Sequence, residues 1–456
     1  MKNFMKKSKK RRLFGFINFL LFAFCLASMP ATVQAQHPPL DGGTGSNEDP
    51  YRISTATNLK TLSDYVNTGN GANTKDVYYK LTANIDLGNY QDGAGWMPIG
   101  NDIKAARTFF GNFDGNGKKI TGLKINATTP ERAGLFGYIE KATIKNLIIE
   151  NADIVHNSST GFACVGGIVG MMYSNCTISH CYVTGLINSS ADYDAAGGIV
   201  GSCRNNSTVS NCYSTASISA SFCAGGIAGD VVESKMLSNC YATGTISASR
   251  AGGLVGDGSD IDRSTEISNC AALNPKINSS YDAARIINSL YSTLINNIAF
   301  DKMLNPDGES IWTKKGAARK DGEDITAEQI KADGTLGGRF TTANGWIVEN
   351  GKLPGLFDNT VEIPEHVENP TGLGETSAST FRIYPNPTTG ELRIAGRDAL
   401  QCVSTNVEIY DIYGRKCHVS RVTRNENIDI SDLSNGIYFL KISTEHGMVT
   451  KKIVKY

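Results

Sequence analysis

The sequence predicts an all-β chain: a right-handed parallel β-helix followed by a small Ig-like β-sandwich. Three observations carry this. A Gly-Gly phrase recurs through the middle of the chain at spacings of 31, 28 and 27 residues. The composition, with 48 Gly and only 19% charged residues, suits many turns and short strands, and few stretches show a 3.6-residue apolar period. Near residue 380 the glycine pairs stop and alternating strands with more charge begin.

Residues 1–35 read as a cleaved signal peptide. Lys2, Lys6, Lys7, Lys9, Lys10, Arg11 and Arg12 form a positive start, and an apolar run from Leu13 to Met29 follows. That run is shorter than the ~20 residues a spanning helix needs. Val33-Gln34-Ala35 then offers small residues for cleavage before Gln36. Loss of seven bases from a total of 44 leaves 37 against 44 acids, a formal net of −7. Such a chain has no electrostatic reason to seek nucleic acid or anionic membrane, and no second apolar run is long enough to span a bilayer.

Residues 36–133 are assigned to an N-terminal cap and opening coils, with Asn58, Leu59 and Leu62 in a short capping helix. Residues 134–280 hold the repeats: Gly166-Gly167-Ile168-Val169-Gly170, Gly197-Gly198-Ile199-Val200-Gly201, Gly225-Gly226-Ile227-Ala228-Gly229 and Gly252-Gly253-Leu254-Val255-Gly256. A second phrase follows each, carrying Cys181, Cys212, Cys240 and Cys270. In the first three units the Cys lies 14 residues after the second glycine, and in the fourth 17. One such unit cannot bury a face alone, but units stacked ~4.8 Å apart can. A propeller blade needs ~40 residues or more, which these units lack. Glycines are expected at the corners, where positive φ or close backbone approach is required, and Asn before Cys suits a corner or an amide ladder.

The Cys position is occupied by Leu147 in the preceding unit, so Cys181, Cys212, Cys240 and Cys270 read as a column of small buried hydrophobes. A disulfide between adjacent coils stays open, since Cα atoms ~5 Å apart can be bridged. Cys164 and Cys223 share another repeat position but lie two coils apart, ~10 Å, too far to pair. No Cys-x-x-Cys pair occurs, so no metal is expected.

Gly-Gly-Ile-Val-Gly followed by Asn-Cys-Tyr resembles the GLUG repeat of bacterial surface proteins. The resemblance extends from about residue 45, through Phe110–Leu123, to the closing phrase Trp346–Pro354. It implies the β-helix but no single activity, because such repeats occur in adhesins, in large peptidases and in proteins of unknown role. Residues 281–357 are read as C-terminal coils and cap, and 358–379 as a polar linker.

Residues 380–456 carry Phe381-Arg382-Ile383-Tyr384-Pro385-Asn386-Pro387, then Val407–Arg415, Ile428–Ile442 and Lys451–Tyr456. In that order these resemble the type A C-terminal sorting domain of the Bacteroidetes type IX secretion system. The resemblance implies Pro385, Asn386, Pro387, Gly414, Gly436 and Lys452 as signal positions. It also implies the Sec translocon and the type IX machinery as partners in transit, and a final place on the outer surface or in the medium.

No catalytic constellation stands out. His-Glu-x-x-His, Gly-x-Ser-x-Gly and P-loop spacing are absent, and the six His show no pairing. Asp192 and Asp194 in one coil, with Asp230 and Glu233 in the next, are the carboxylates that could flank a sugar, but such loop residues are usually solvated turns. Asp114 and Asn116 could reach Ca²⁺, but Asp-Gly-Asn-Gly is first a tight turn. No cofactor is expected. The leading function is a non-enzymatic surface protein for adhesion, glycan contact or scaffolding. The alternative is a glycan-active β-helix enzyme, lyase or hydrolase, and a peptidase is disfavoured by the missing metal motif. Tyr182, Tyr213 and Tyr241 form a candidate exposed aromatic row for glycan contact, or equally a packing column.

Overall fold

A computed structural model describes residues 37–369, apart from 159–160, 235, 259–264 and 290–291. It also describes 382–456 apart from 385–387, 396–404, 412–414, 423–426 and 445–446. The expected leader, the linker from residue 370 on, Pro385, Asn386, Pro387 and Gly414 therefore lie outside the described residues. The chain divides into two units, up to Pro364 and from Glu365.

The first unit is a parallel β-helix with three faces. The first face is a ladder of nine strands, from Tyr51–Ile53 and Tyr78–Leu81 through Thr143–Lys145 and Thr208–Ser210 to Thr293–Ile295. Each neighbour pair runs parallel. One residue per strand points inward, and the register lines these up as Tyr79, Phe113, Ile144, Ile178, Val209, Leu237 and Ile267, all buried. The second face carries a matching column of Ile125, Ile154, Ile187, Ile218, Ile246 and Ile277. The third is a five-stranded ladder from Phe136–Glu140 to Val255–Gly258. Alternation with period two thus fills one continuous core between stacked coils.

The opening residues belong to this stack, since strands begin at Tyr51. The helix spans Ala56–Tyr65, is capped by the Thr55 side chain accepting from Asn58 N, and buries Leu59 and Leu62. The last coil strand is Glu323–Ile325. Beyond the short helix Ala327–Asp333, residues 335–357 do not cap the end of the stack. They form a strap that crosses successive coils, with Arg339 Nε bonding Asn296 O at 2.7 Å, Asn239 Nδ2 bonding Arg339 O at 2.8 Å and Trp346 Nε1 bonding Asn211 Oδ1 at 3.3 Å.

The tight corner after the first face is made by asparagine rather than glycine. Asn146, His180, Asn211, Asn239, Asn269 and Asn296 all sit in the left-handed region, with φ between 50° and 55°. Asn tolerates this region because its short side chain bonds locally, and Asn296 Nδ2 bonds Asn269 Oδ1 at 2.7 Å. The repeated Gly-Gly pairs serve close approach instead. A Cβ on Gly167 would lie 2.5 Å from Gly198 O and 2.5 Å from a Val183 methyl, and one on Gly198 would strike Gly226 O and Ser214. The same turns carry coil-to-coil bonds, Gly167 N to Gly198 O at 3.2 Å and Ile199 N to Ile227 O at 3.0 Å.

The second unit is an antiparallel sandwich. One sheet holds Arg382–Tyr384, Glu391–Ala395 and Asn427–Asp429, and the other Thr405–Asp411, Lys416–Val422, Gly436–Thr444 and Gly447–Lys455. Leu392 and Ile428 from the first meet Val407, Ile409, Tyr438, Leu440 and Ile453 from the second in one core.

Replacing Gly198 by Ala forces a Cβ into the backbone of the next coil. The expected loss is about 1–3 kcal/mol, read as a lower denaturant midpoint with an unchanged slope.

Candidate functional site: an aromatic and arginine ridge

The four column cysteines Cys181, Cys212, Cys240 and Cys270 are buried and free. Each follows its left-handed corner residue and turns inward, and each thiol donates to the carbonyl two residues earlier at 3.1–3.2 Å, as Cys212 does to Ser210 O. Leu147 occupies the same buried position one coil earlier, and Asn297 ends the column by accepting from Cys270 N at 3.0 Å. Burial pushes the Cys212 and Cys270 thiols well up, so they stay protonated. Cys164 and Cys223 are separated in register by Ala195 and lie two coils apart.

Tyr182, Tyr213 and Tyr241 do stack, with centroids 4.6 and 4.9 Å apart. They are not an exposed row: their relative exposures are 6%, 5% and 0%. The strap covers Tyr213 and Tyr241. Trp346 lies 6.2 Å from Tyr213 and 5.8 Å from Tyr241, Phe340 meets Tyr241 edge-on, and the Tyr241 hydroxyl donates to Pro354 O at 2.6 Å. Flat rings at a repeated position need an apolar lid, and the strap supplies it. Of the sorting-signal positions that are described, half-buried Gly436 opens the strand Gly436–Thr444 and exposed Lys452 pairs with Phe439 on the neighbouring strand.

A different aromatic row is exposed. It forms where the second face approaches the third, on the strands Phe162–Gly166, Tyr193–Gly197, Cys223–Gly225, Ile246–Gly252 and Ile277–Ala284. Phe162 is 36% exposed, Tyr193 63% and Tyr281 76%. Tyr193 packs edge-on to Phe222 at 5.9 Å. Two guanidinium groups lie over these rings: Arg204 is 5.7 Å from the Phe162 centroid, and Arg250 is 5.2 Å from Phe222 and 5.6 Å from Tyr281.

Carboxylates on the third face fix these arginines. Ser202, Asp230 and Asp257 share one register column. Arg204 bonds Ser202 Oγ at 2.8 Å and Asp230 Oδ2 at 3.0 Å, and Arg250 bonds Asp257 Oδ2 at 2.6 Å. Burial raises the Asp230 carboxyl above its usual range, against the opposing pull of Arg204. Asp230 Oδ1 is buried without a hydrogen-bond partner among the described residues. The sugar-flanking carboxylate sets do not assemble. Asp194 is buried and accepts from Ser221 N and Phe222 N at 3.1 and 2.6 Å, which fixes a loop, and Glu233 sits at a left-handed corner with φ of 50°. Asp192 is exposed. Asp114 is also committed to its turn, accepting from Asn116 N and from Asn146 Nδ2 at 2.8 and 3.0 Å. Among the described residues no group of three His, Cys, Asp or Glu is placed to hold a metal ion.

The ridge was legible in principle. Phe162, Tyr193 and Phe222 each stand three or four residues before a Gly-Gly pair. The more regular Cys-Tyr phrase masks that weaker signal.

Residues 382–456 match the family of secretion system C-terminal sorting domains. That domain marks the chain for passage through the type IX machinery to the cell surface or the medium. No helix among the described residues is long and apolar enough to cross a membrane. A Gly-rich membrane protein of Evansella cellulosilytica, provisionally so named, is 35% identical over 159 residues, 34% of this chain and 17% of that protein. Halomucin of Haloquadratum walsbyi is 31% identical over 150 residues, 32% of this chain and 2% of its own length. The chain therefore spans only a small part of both relatives. A crystal structure from Bacteroides ovatus, provisionally described as an immunoglobulin A1 protease, superposes with a TM-score of 0.55 at 23% identity. The match covers 70% of this chain and 95% of that one, and shows a shared fold.

Thiol labelling of the native chain, mapped by mass spectrometry, should modify exposed Cys417 and leave Cys212 and Cys240 untouched until denaturant is added.

Proposed function

We propose that this chain is a non-enzymatic β-helix protein of the outer surface or medium, and that its aromatic and arginine ridge contacts glycan. The observation that carries this is the row of exposed Phe162, Tyr193 and Tyr281 with half-buried Phe222, spread over five stacked coils and lying beside arginines held by carboxylates, with Arg250 on the coil between Phe222 and Tyr281. Sugar rings stack on such faces through their C–H bonds, while guanidinium groups donate to ring oxygens and hydroxyls. A coil spacing of ~4.8 Å is close to the length of one pyranose, so a linear glycan can lie along the stack and meet a contact at each coil. Large exposed apolar side chains in a contiguous row mark interaction sites more often than isolated ones do.

The glycan-active alternative keeps one supporting observation: Asp230 and Asp257 are in register on adjacent coils. Each, however, faces its own arginine across the ridge, a disposition that suits binding better than proton transfer. Peptide cleavage is a third reading, motivated by the name given to the Bacteroides ovatus protein. Incubation of the purified chain with immunoglobulin A1 and with a panel of polysaccharides addresses both, and new peptide fragments or new reducing ends would overturn the non-enzymatic assignment.

On a glycan array followed by calorimetry, Tyr193→Ala and Tyr281→Ala should each weaken the best ligand about tenfold, equivalent to ~1.4 kcal/mol. Their thermal midpoints should match the parent, because both rings are exposed. In cells lacking a working type IX translocon, the chain should be held in the periplasm with its C-terminal domain intact. A surface or released form in the parent strain should lack that domain.

A further inference from the structure

We propose a second, independent binding site: a groove near the N-terminal end of the first face that takes an acidic saccharide. The groove encloses about 600 Å³, inside the ~300–1,000 Å³ range of small-ligand sites. Its floor is the outward side of the first strands. Arg52, Lys80, Asp114 and Lys145 lie in one register row, and Tyr78, Asn112 and Thr143 in the next. The loop Asn47–Pro50 and the turn carrying Lys118 form the walls.

The charges in this groove do not cancel. Arg52 is paired with Asp49 at 2.9 Å and Lys145 with Asp114 at 3.7 Å. That leaves Lys80 and Lys118 as lining cations without an ion pair among the described residues, against one remaining acid, Glu48. A local positive excess on a chain with more acids than bases once the leader is gone needs an anionic occupant to be useful. Asp114 is unavailable to a metal, since both its oxygens face donors.

The rest of the lining selects a sugar over a bare anion. Asn112, Thr143 and Thr82 present amides and hydroxyls, and half-buried Tyr78 offers a ring edge or face. Ammonium groups act as point charges rather than bidentate forks, so a carboxylate or sulfate on a polyhydroxylated ring supplies the charge these lysines lack while the ring hydroxyls meet the polar row. None of these residues belongs to the ridge, so this site stands or falls apart from the ridge reading.

Calorimetry of the full mature chain with trigalacturonate, a sulfated disaccharide and neutral galactotriose tests it. Binding of either acidic saccharide, absent with galactotriose and weakened about tenfold by Lys80→Ala or Lys118→Ala, is the expected result. The arm that binds more tightly distinguishes a carboxylated from a sulfated source. Lys80→Arg should retain most affinity, which separates loss of charge from loss of fold, and Tyr193→Ala should change nothing. No binding by either acid, binding indifferent to both lysine substitutions, or full displacement by equimolar inorganic phosphate would overturn the proposal.

Discussion

Everything in the first unit depends on how closely successive coils approach at the Gly-Gly turns. The backbone of one turn bonds the backbone of the next, Gly167 N to Gly198 O and Gly226 N to Gly253 O, both at 3.2 Å. Such contact leaves no room for a Cβ. Because the turns repeat at this spacing, the inward columns of both faces come into register, and the isoleucines and cysteines meet their own kind above and below. Hydrophobic burial drives the stacking, and the backbone contact at these turns sets the spacing at which it occurs.

That constraint explains which parts of the structure could be read from the sequence. Spacing between glycine phrases sets the coil, and the Leu147-to-Cys181 equivalence identifies an inward position without any structural knowledge. The sandwich was equally legible, since its strands alternate and its turns carry recognisable residues. Corner chemistry was harder to see. Asn211 and Gly198 both tolerate unusual backbone, but only the dihedral shows that the left-handed residue is the asparagine while the glycine serves steric clearance. Side-chain exposure was the least legible. Tyr213 alternates and repeats as an exposed residue would, yet a segment more than 130 residues later in the chain covers it, through Trp346.

The consequence for the candidate site is a division of labour between two aromatic columns. One is closed by Trp346 and Phe340 and contributes packing. The other, through Tyr193 and Tyr281, stays open at the meeting of two faces and is decorated with arginines whose direction is fixed by Asp230 and Asp257. Rigid β-structure holds these groups at repeated intervals, which leaves the ridge side chains preorganised.

The strap gives the stack a mechanical property that a simple solenoid lacks. A linear array with only nearest-neighbour contacts can fray one unit at a time from either end. Residues 335–357 tie the corners at Asn296, Asn239, Asn211 and His180 to one continuous thread. Pulling on a single coil therefore loads several others, and the array resists shear as a bundle rather than as a pile. The thread also lies after all the coils in the chain. During synthesis or emergence from a pore, the stack is locked only once its final segment has arrived.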